Sequence, residues 1–322
     1  MKKITLIYLV TLMTSLLSFA IIYIVMNPKL ENSIFIHNKP IEKSSFLTSK
    51  YLFEKLKENK KYIVVFGTSR SAKISSKLYG ENIINFSESV YGNPYDVMNL
   101  INQLSTKQIA NISKILYLVD NHTFRERGNY DINYSRNFIF KQLINFNTEN
   151  VFLSIKSIFN YNLSKGINLD GSFFNNNESS LRLYECDRYK YEKVFDGMHV
   201  KTFEALKDIK KFAQQNNINI IFFTSTMNIP YLSNINKKDF MKHRENLITN
   251  IGEFYDFTYI DGISNNHNAF TDVTHITTKE TIYMINHFYK NPPSSYLVNK
   301  ESFTNFYNKL FDKVESFDST LF

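Results

Sequence analysis

Two short segments, far apart in the sequence, contain residue types that could carry out acyl-transfer chemistry. The first, Gly67–Ser71, reads Gly-Thr-Ser-Arg-Ser and follows an apolar run at Tyr62–Phe66. The second contains Asp272 and, three residues later, His275. A histidine can take the proton of an attacking serine hydroxyl while a carboxylate holds that histidine in the required tautomer. The two segments therefore predict Ser69 as a nucleophile and the Asp272–His275 pair as its base.

Each segment also has a simpler interpretation. Ser69 is predicted at or near the start of a helix that carries residues 72–78, and serine is a favoured helix N-cap. At the same position the free backbone N–H groups and the helix dipole could stabilise an oxyanion. Asp272 and His275, taken alone, could be an ordinary surface pair. The catalytic interpretation depends on both segments lying at the same edge of one sheet.

That edge is predicted from the alternation of strands and helices along the chain. Strands are expected at 62–66, 82–85, 114–119, 218–223 and 257–260, and helices at 94–103, 201–215, 236–253 and 278–289. This alternation indicates an α/β fold, in which ligands bind at the carboxyl ends of the parallel strands. We expect a flavodoxin-like three-layer sandwich with a central parallel sheet of about five strands. A capping box of Thr277 with Glu280 would begin the last helix and leave His275 in the loop before it.

Composition and missing motifs argue against several other classes of protein. The formal net charge is +8, but the basic residues are scattered among acidic ones, which favours a solvated surface over nucleic-acid binding. The single cysteine, Cys186, excludes an intrachain disulfide and metal sites built on several thiolates. Neither a Gly-x-Gly-x-x-Gly nor a P-loop motif occurs, and the other histidines lack ligand spacing, so we expect no metal and no organic cofactor. The nucleophile elbow of α/β-hydrolases needs a second glycine where this sequence has Ser71.

The N-terminus predicts a membrane anchor. Lys2 and Lys3 precede an uncharged apolar stretch over 4–26, which as a helix would be roughly 35 Å long and could cross a bilayer. The two lysines favour a cytoplasmic N-terminus, so the body of a single-pass protein would lie outside the inner or cytoplasmic membrane of a bacterium. A cleaved signal peptide, with a small-residue site near 18–20, is the alternative.

The chain divides into four predicted parts. Residues 1–26 form the transmembrane anchor, 27–57 a tether and approach helix, and 58–290 the α/β domain. Residues 121–200 break the strand–helix rhythm and are interpreted as an insertion that partly caps the carboxyl edge of the sheet. Residues 291–322 form a C-terminal tail.

Taken in chain order, the motifs resemble those of the SGNH (GDSL-like) hydrolase superfamily. That family has a Gly-x-Ser block after the first strand, a glycine block after the second, an asparagine block after the third, and Asp-x-x-His near the C-terminus. The corresponding segments here are Gly67–Ser69, Asn85–Ser87 with Gly92–Asp96, Val119–His122 and Asp272–His275. The resemblance covers about 60–120 and 200–290.

The resemblance implies a role for each matching residue. Ser69 would be the nucleophile, His275 the base, and Asp272 the residue that orients it. The backbone N–H groups of Ser69 and Gly92, with the side-chain amide of Asn121, would form the oxyanion hole.

The sequence departs from the family pattern in two of the blocks. Thr68 replaces the usual aspartate of the first block. The third block reads Val-Asp-Asn-His instead of Gly-x-Asn-Asp, so Asp120 could occupy the place of the family's asparagine. The arginine that follows the nucleophile, Arg70, could bind an anionic substrate group or form a structural salt bridge.

The match looks closest to the membrane-tethered branch of the superfamily. That branch includes the D-alanyl transfer protein of teichoic acid systems and the periplasmic O-acetylation proteins of alginate and peptidoglycan. It implies an acylated envelope polysaccharide as substrate, so we expect an extracytoplasmic serine O-acyl esterase or O-acyltransferase. A transferase that works with a multipass acyltransferase as its acyl-donor partner in the membrane is a related option. The altered third block and the unmatched 121–200 segment leave a second hypothesis open, a non-catalytic assembly or adaptor protein of an envelope polysaccharide system that retains the fold.

Overall fold

The structure is a computed structural model that describes residues 8, 10–15, 17–18, 52–87, 92–120, 124, 165–167, 170, 172–175, 200–272 and 274–316. The described positions between 8 and 18 are helical, but most of the predicted membrane segment lies outside the described residues. Within the part of the chain that is described, no helix is both long and apolar enough to span a bilayer. The membrane anchor therefore stays a prediction.

The body of the chain is an α/β fold around a mostly parallel six-stranded sheet. The strands of this sheet are β1 (Tyr62–Phe66), β2 (Ile83–Asn85), β3 (Ile112–Leu118), β6 (Asn219–Phe223), β7 (Glu253–Tyr255) and β8 (Leu297–Asn299). The remaining two, β4 (Lys165–Ile167) and β5 (Phe173–Asn175), form a separate antiparallel hairpin. The sheet has the order β2-β1-β3-β6-β7-β8, and only its last pair is antiparallel. Apart from this added edge strand, the order is that of flavodoxin-like sheets.

Helices occupy the connections between the strands and the segment after β8. They are α1 (Ser76–Tyr79), α2 (Pro94–Asn102), α3 (Thr106–Ala110), α4 (Val200–Gln215), α5 (Ile229–Ser233), α6 (Lys237–Ile251), α7 (Thr278–Met284), a π-helix (Ile285–Tyr289) and α8 (Phe303–Glu315). The chain passes from β1 to β2 in one direction and from β2 to β7 in the other. Because crossovers between parallel strands are right-handed, this reversal places α1 on one face and α2, α4 and α6 on the other. The contacts agree, since α4 packs on α2 and α6 while α1 packs on the π-helix.

The central strands explain why the apolar runs predict the core well. Every residue of β1 is buried, and so are the last four of β3. Val64 pairs with Ile84 of β2 on one side and with Ile115 of β3 on the other, so β1 lies inside the sheet. Because a strand with neighbours on both sides and helices on both faces has no solvent-facing side, its residues are apolar throughout instead of alternating between apolar and polar.

The prediction of about five strands needs two corrections. The sequence predicts the fifth strand at 257–260, but β7 lies at Glu253–Tyr255, directly after Gly252, which ends α6 with a φ of 79°. Phe257, Thr258 and Ile260 are buried because the chain continues alongside the segment after β6, where the Met227 N–H donates to the Thr258 carbonyl. The sixth strand, β8, comes from the predicted C-terminal tail and pairs with β7.

The two segments that flank the domain in the sequence are described only in part. Of the predicted tether and approach helix, 52–57 is described; residues 52–55 are helical, and Leu52 and Leu56 are buried. Of the predicted insertion, the structure describes residue 124, the hairpin segments and residue 200. The tail contributes α8 as well as β8, and α8 buries an apolar face that includes Phe303 and Tyr307.

Candidate active site

The structure brings the predicted nucleophile, base and acid into one hydrogen-bonded chain. Ser69 Oγ lies 2.7 Å from His275 Nε2, although the two residues are 206 positions apart. On the other side of the ring, His275 Nδ1 lies 2.7 Å from Asp272 Oδ2. With the Nδ1 proton donated to the carboxylate, Nε2 is free to accept the serine proton. Ser69 is exposed, so a substrate can reach its hydroxyl.

The acid and the base are held by a tight loop after β7. Phe270 and Ile276 form an isolated antiparallel bridge, and the Thr271 N–H donates to the His275 carbonyl at 2.7 Å. At its end, Thr277 caps α7, its hydroxyl accepting from the Glu280 N–H. The second bond of the predicted capping box is replaced, because the Thr277 N–H donates to the Ala269 carbonyl. The loop thus fixes His275 relative to its own acid before any substrate binds.

The environment of Asp272 keeps it ionised. Burial alone would raise the pKa of this carboxyl, but the hydrogen bond from His275 and the backbone N–H groups of Thr274 and His275 hold the pKa well below its usual range. The two N–H groups lie 2.8 and 2.9 Å from Asp272 Oδ1. An ionised carboxylate is what is needed to orient the imidazole and to stabilise the imidazolium that forms when it takes a proton.

The segment around the nucleophile is a turn, which corrects the prediction of a helix starting near Ser69. Successive i→i+3 hydrogen bonds run from Ser71 to Thr68 and from Ala72 to Ser69, and α1 begins only at Ser76. The N-cap of α1 is Ser75, so neither the cap interpretation of Ser69 nor the helix-dipole argument applies.

A buried asparagine explains why no helix forms there. The side-chain amide of Asn85, the last residue of β2, donates to the carbonyl of Ser71 at 2.9 Å and to that of Ile74 at 2.9 Å. A longer helix would use these carbonyls for its own i→i+4 bonds. Asn85 is fully buried and its Oδ1 accepts from the Ser87 N–H, so it sets the shape of the turn from behind.

Gly67 and Gly92 lie backbone to backbone beside the nucleophile. Gly92 has a φ of 59°, and a Cβ placed on it would come within 2.6 Å of the Gly67 backbone. The Tyr117 hydroxyl donates to the Gly92 carbonyl at 2.7 Å and fixes that peptide. Among the described residues, none accepts a hydrogen bond from the N–H of Ser69 or of Gly92. Of the two predicted backbone donors, Gly92 thus lies against Gly67, two residues before Ser69, while the third donor, Asn121, lies outside the described residues.

Asp120, at the end of β3, is part of a buried ion pair. Its Oδ2 accepts from Arg70 Nη1 at 2.6 Å, and its Oδ1 accepts from the Ser225 hydroxyl at 2.9 Å. The side chains of Arg70 and Asp120 are 4% and 0% exposed. Of the two interpretations of Arg70, the salt bridge is therefore the one found. An ionised carboxylate only accepts hydrogen bonds, so Asp120 cannot replace the family's asparagine as an oxyanion donor.

Three further residues that support the site were not identified from the sequence. Lys73 Nζ donates to the Ile276 carbonyl at 2.6 Å and ties the nucleophile turn to the loop of His275. Asp170, from the insertion, accepts from the Ser76 N–H at 2.6 Å. The third is Ser225; only its position just after β6, at the carboxyl edge of the sheet, could have pointed to it. The other two carry no pattern that marks their contacts.

The hairpin of the insertion contacts the nucleophile turn itself. The Phe173 N–H donates to the Ala72 carbonyl at 2.7 Å, and the Asn85 N–H donates to the Asp170 carbonyl at 2.7 Å. The predicted cap over the carboxyl edge stays a prediction, while the described part of the insertion supports the turn that contains Ser69.

The described residues contain no cluster of three or more side chains of histidine, cysteine, aspartate or glutamate that could hold a metal ion.

Comparison with known proteins gives no match to any protein-family model and no significant match to a curated protein. The resemblance to SGNH hydrolases therefore depends on the four motifs alone.

Proposed function

We propose that this protein is an extracytoplasmic serine O-acyl esterase or O-acyltransferase of the SGNH type, acting on a cell-envelope glycopolymer. The observation that carries the proposal is the chain of contacts from Ser69 Oγ to His275 Nε2 and from His275 Nδ1 to Asp272, each 2.7 Å long. Serine, histidine and an ionised carboxylate in this order, with the serine exposed, are what acyl transfer requires.

The geometry supports a two-step mechanism. In the first step, His275 takes the proton of Ser69 as its Oγ attacks the acyl carbonyl, and Asp272 stabilises the imidazolium. The N–H groups of Ser69 and Gly92 receive the negative charge on the acyl oxygen. The intermediate then collapses, the ester C–O bond to the leaving alcohol breaks, and His275 gives its proton to that oxygen. This leaves the acyl group on Ser69.

The second step distinguishes the two activities within this proposal. His275 takes a proton from water in an esterase, or from a sugar hydroxyl in a transferase, and the oxygen of that molecule attacks the acyl carbon. The bond between Ser69 Oγ and the acyl carbon then breaks, and His275 returns its proton to Ser69 Oγ, which releases the free acid or the acylated sugar. We propose an acylated envelope polysaccharide as the substrate and a multipass acyltransferase as a partner, both from the motif resemblance. We propose a location outside the cytoplasmic membrane from the N-terminal apolar stretch. A flavodoxin-like three-layer sandwich is proposed from the strand order and the two groups of helices.

A non-catalytic adaptor protein is the second candidate, and one observation favours it. Asp120, which could occupy the place of the family's donating asparagine after β3, is a carboxylate engaged by Arg70. If the protein is an adaptor, a Ser69→Ala variant should restore full function in cells that lack the protein. If it is an enzyme, that variant should fail even though it is produced and folded.

The direct test is labelling with a fluorophosphonate, which reacts with activated serines. We expect the wild type to be labelled at Ser69, and Ser69→Ala and His275→Ala to lose labelling. Ser233→Ala is the matched control, since this exposed serine lies in α5 and only donates to a nearby carbonyl; it should label like the wild type. Equal labelling of the wild type and Ser69→Ala would refute the proposal.

A further inference from the structure

The residues on either side of Ser69 bind the same buried carboxylate. Arg70 Nη1 donates to Asp120 Oδ2 at 2.6 Å, and Thr68 Oγ1 approaches the same oxygen at 3.5 Å. The two flanking residues also contact each other, since the Arg70 N–H lies 3.4 Å from Thr68 Oγ1. The peptide that carries Ser69 is therefore held to this acceptor by Arg70, with Thr68 facing the same oxygen from the other side.

That acceptor is itself fixed from a third strand. The Ser225 hydroxyl, just after β6, lies 2.9 and 3.1 Å from the two oxygens of Asp120. Burial by itself would lower the pKa of Arg70, but the Asp120 carboxylate more than offsets this and raises the pKa above its ordinary value. The guanidinium thus stays charged, and the carboxyl ends of β1, β3 and β6 are joined by one neutralised ion pair.

The pair also solves an electrostatic problem that the altered third block creates. An unpaired carboxylate at the end of β3 would repel the negative charge that develops on an acyl oxygen. With Arg70 bound to it, Asp120 contributes no net charge, and the turn around Ser69 gains a rigid anchor. Fixed donors and a fixed nucleophile are worth more in catalysis than mobile ones, because no reorganisation is needed during the reaction.

We propose that Arg70 and Asp120 form a positioning pair for the nucleophile, an inference that rests on the proposed function of Ser69. The pair takes no part in making or breaking bonds. It keeps Ser69 Oγ within hydrogen-bond distance of His275 Nε2 and fixes the Ser69 N–H relative to the acyl oxygen.

The test uses a double variant, because removing one partner of a buried ion pair leaves a buried charge and can unfold a protein. Arg70→Met/Asp120→Asn leaves no unpaired charge and preserves an acceptor for Ser225. The full-length protein is treated with a fluorophosphonate, and the maximal labelling rate, kinact, is measured together with the final labelled fraction. We expect kinact to fall about 100-fold, the effect of a small misplacement of reacting groups, while the final labelled fraction stays the same. Simple loss of folded protein would have the opposite pattern, a lower final fraction with an unchanged rate.

Two further variants complete the test. Arg70→Lys keeps the charge without the planar fork of the guanidinium, and its kinact should lie between those of the wild type and the double variant. The matched control is Arg244→Met/Asp256→Asn, which removes a second buried ion pair at the same sheet edge; it should retain the wild-type kinact.

Three results would count against the inference. A folded Arg70→Met/Asp120→Asn variant with wild-type kinact would overturn it alone, and so would an equal fall in the Arg244→Met/Asp256→Asn control. A wild type that is not labelled at Ser69 would overturn the proposed function together with the inference.

Discussion

Acid should destabilise this protein through His243, a histidine of α6 that the proposed mechanism does not use. His243 is fully buried, with its ring against Phe124 and Phe203 at centroid distances of 5.0 and 5.8 Å. Its Nδ1 lies 3.1 Å from Arg244 Nη1, which can only donate, so that nitrogen carries no proton. Burial, and then the charge of Arg244, hold the pKa of His243 well below its ordinary value.

The sign of the effect follows from linkage. Below about pH 6.5 the unfolded chain protonates this histidine and the folded protein does not, so unfolding takes up a proton. The free energy of unfolding then falls as the pH falls, and the loss attributable to His243 between pH 7.5 and pH 5.0 is about 2 kcal/mol. Asp272 adds little to the loss between pH 7.5 and pH 5.0. The stability that its lowered pKa contributes is lost mainly below about pH 4, where the carboxyl of the unfolded chain takes up a proton.

Urea unfolding at pH 7.5 and pH 5.0 measures the effect. The quantity of interest is the difference between the two pH values, since His243→Gln also changes the packing at both. That difference should be about 2 kcal/mol smaller in His243→Gln than in the wild type. His287→Gln, which removes an exposed histidine, should keep the wild-type difference. Identical differences in the wild type and His243→Gln would refute the reasoning.

Three other substitutions have clear expected outcomes. Asp272→Asn should lower the fluorophosphonate labelling rate by about 10⁴-fold, because an amide favours the wrong tautomer of the His275 imidazole; a fall of less than tenfold would contradict the role proposed for Asp272. Gly92→Ala would place a Cβ 2.6 Å from the Gly67 backbone at a φ of 59°. It should lower the free energy of unfolding, measured with urea, by at least about 1 kcal/mol and should slow fluorophosphonate labelling. A wild-type free energy of unfolding together with a wild-type labelling rate would show that the close contact of the two glycines is not required. Arg244→Met leaves Asp256 buried without its arginine and should lower the free energy of unfolding by about 3–5 kcal/mol, whereas a loss below 1 kcal/mol would show that the ion pair matters little.

The parts of the fold that were predicted well are those with a local cause. Tyr62–Phe66 is apolar throughout because neighbours surround it on all sides, and Thr277 caps a helix through a contact three residues away. The strand after α6 was misplaced because Phe257 is as buried as Phe254, and burial alone does not tell a paired strand from an extended segment that follows it. The edge strand β8 is too short, at three residues, to show a period.

The candidate site divides in the same way. Ser69, Asp272 and His275 could be found from the sequence because their spacing and their positions after strands are local features. The supports of the turn could not, because Arg70 and Asp120 are 50 positions apart, and Lys73 and Ile276 are 203 apart. Which side chain meets which depends on the strand order, and that order is known only once the sheet is assembled.

The segment after β6 links the two buried ion pairs described at the carboxyl edge of the sheet, Arg70–Asp120 and Arg244–Asp256. Consecutive residues after β6 serve one pair each, Thr224 donating to Asp256 at 2.9 Å and Ser225 donating to Asp120 at 2.9 Å. Consecutive side chains of an extended segment point to opposite faces of the sheet. The two pairs should therefore lie on opposite faces.

The two arginines come from opposite faces, as this requires. Arg244 belongs to α6, which packs in the group with α2 and α4, and Arg70 belongs to the turn that leads into α1 on the other face. The loop of His275 lies on the face of α1, tied to it by Lys73. The Arg70–Asp120 pair therefore includes the residue that follows Ser69 and lies on the same face of the sheet as Ser69, while the Arg244–Asp256 pair connects α6 to the sheet. This separation is why we expect Arg244→Met/Asp256→Asn to lose stability without losing labelling rate, and Arg70→Met/Asp120→Asn to lose labelling rate.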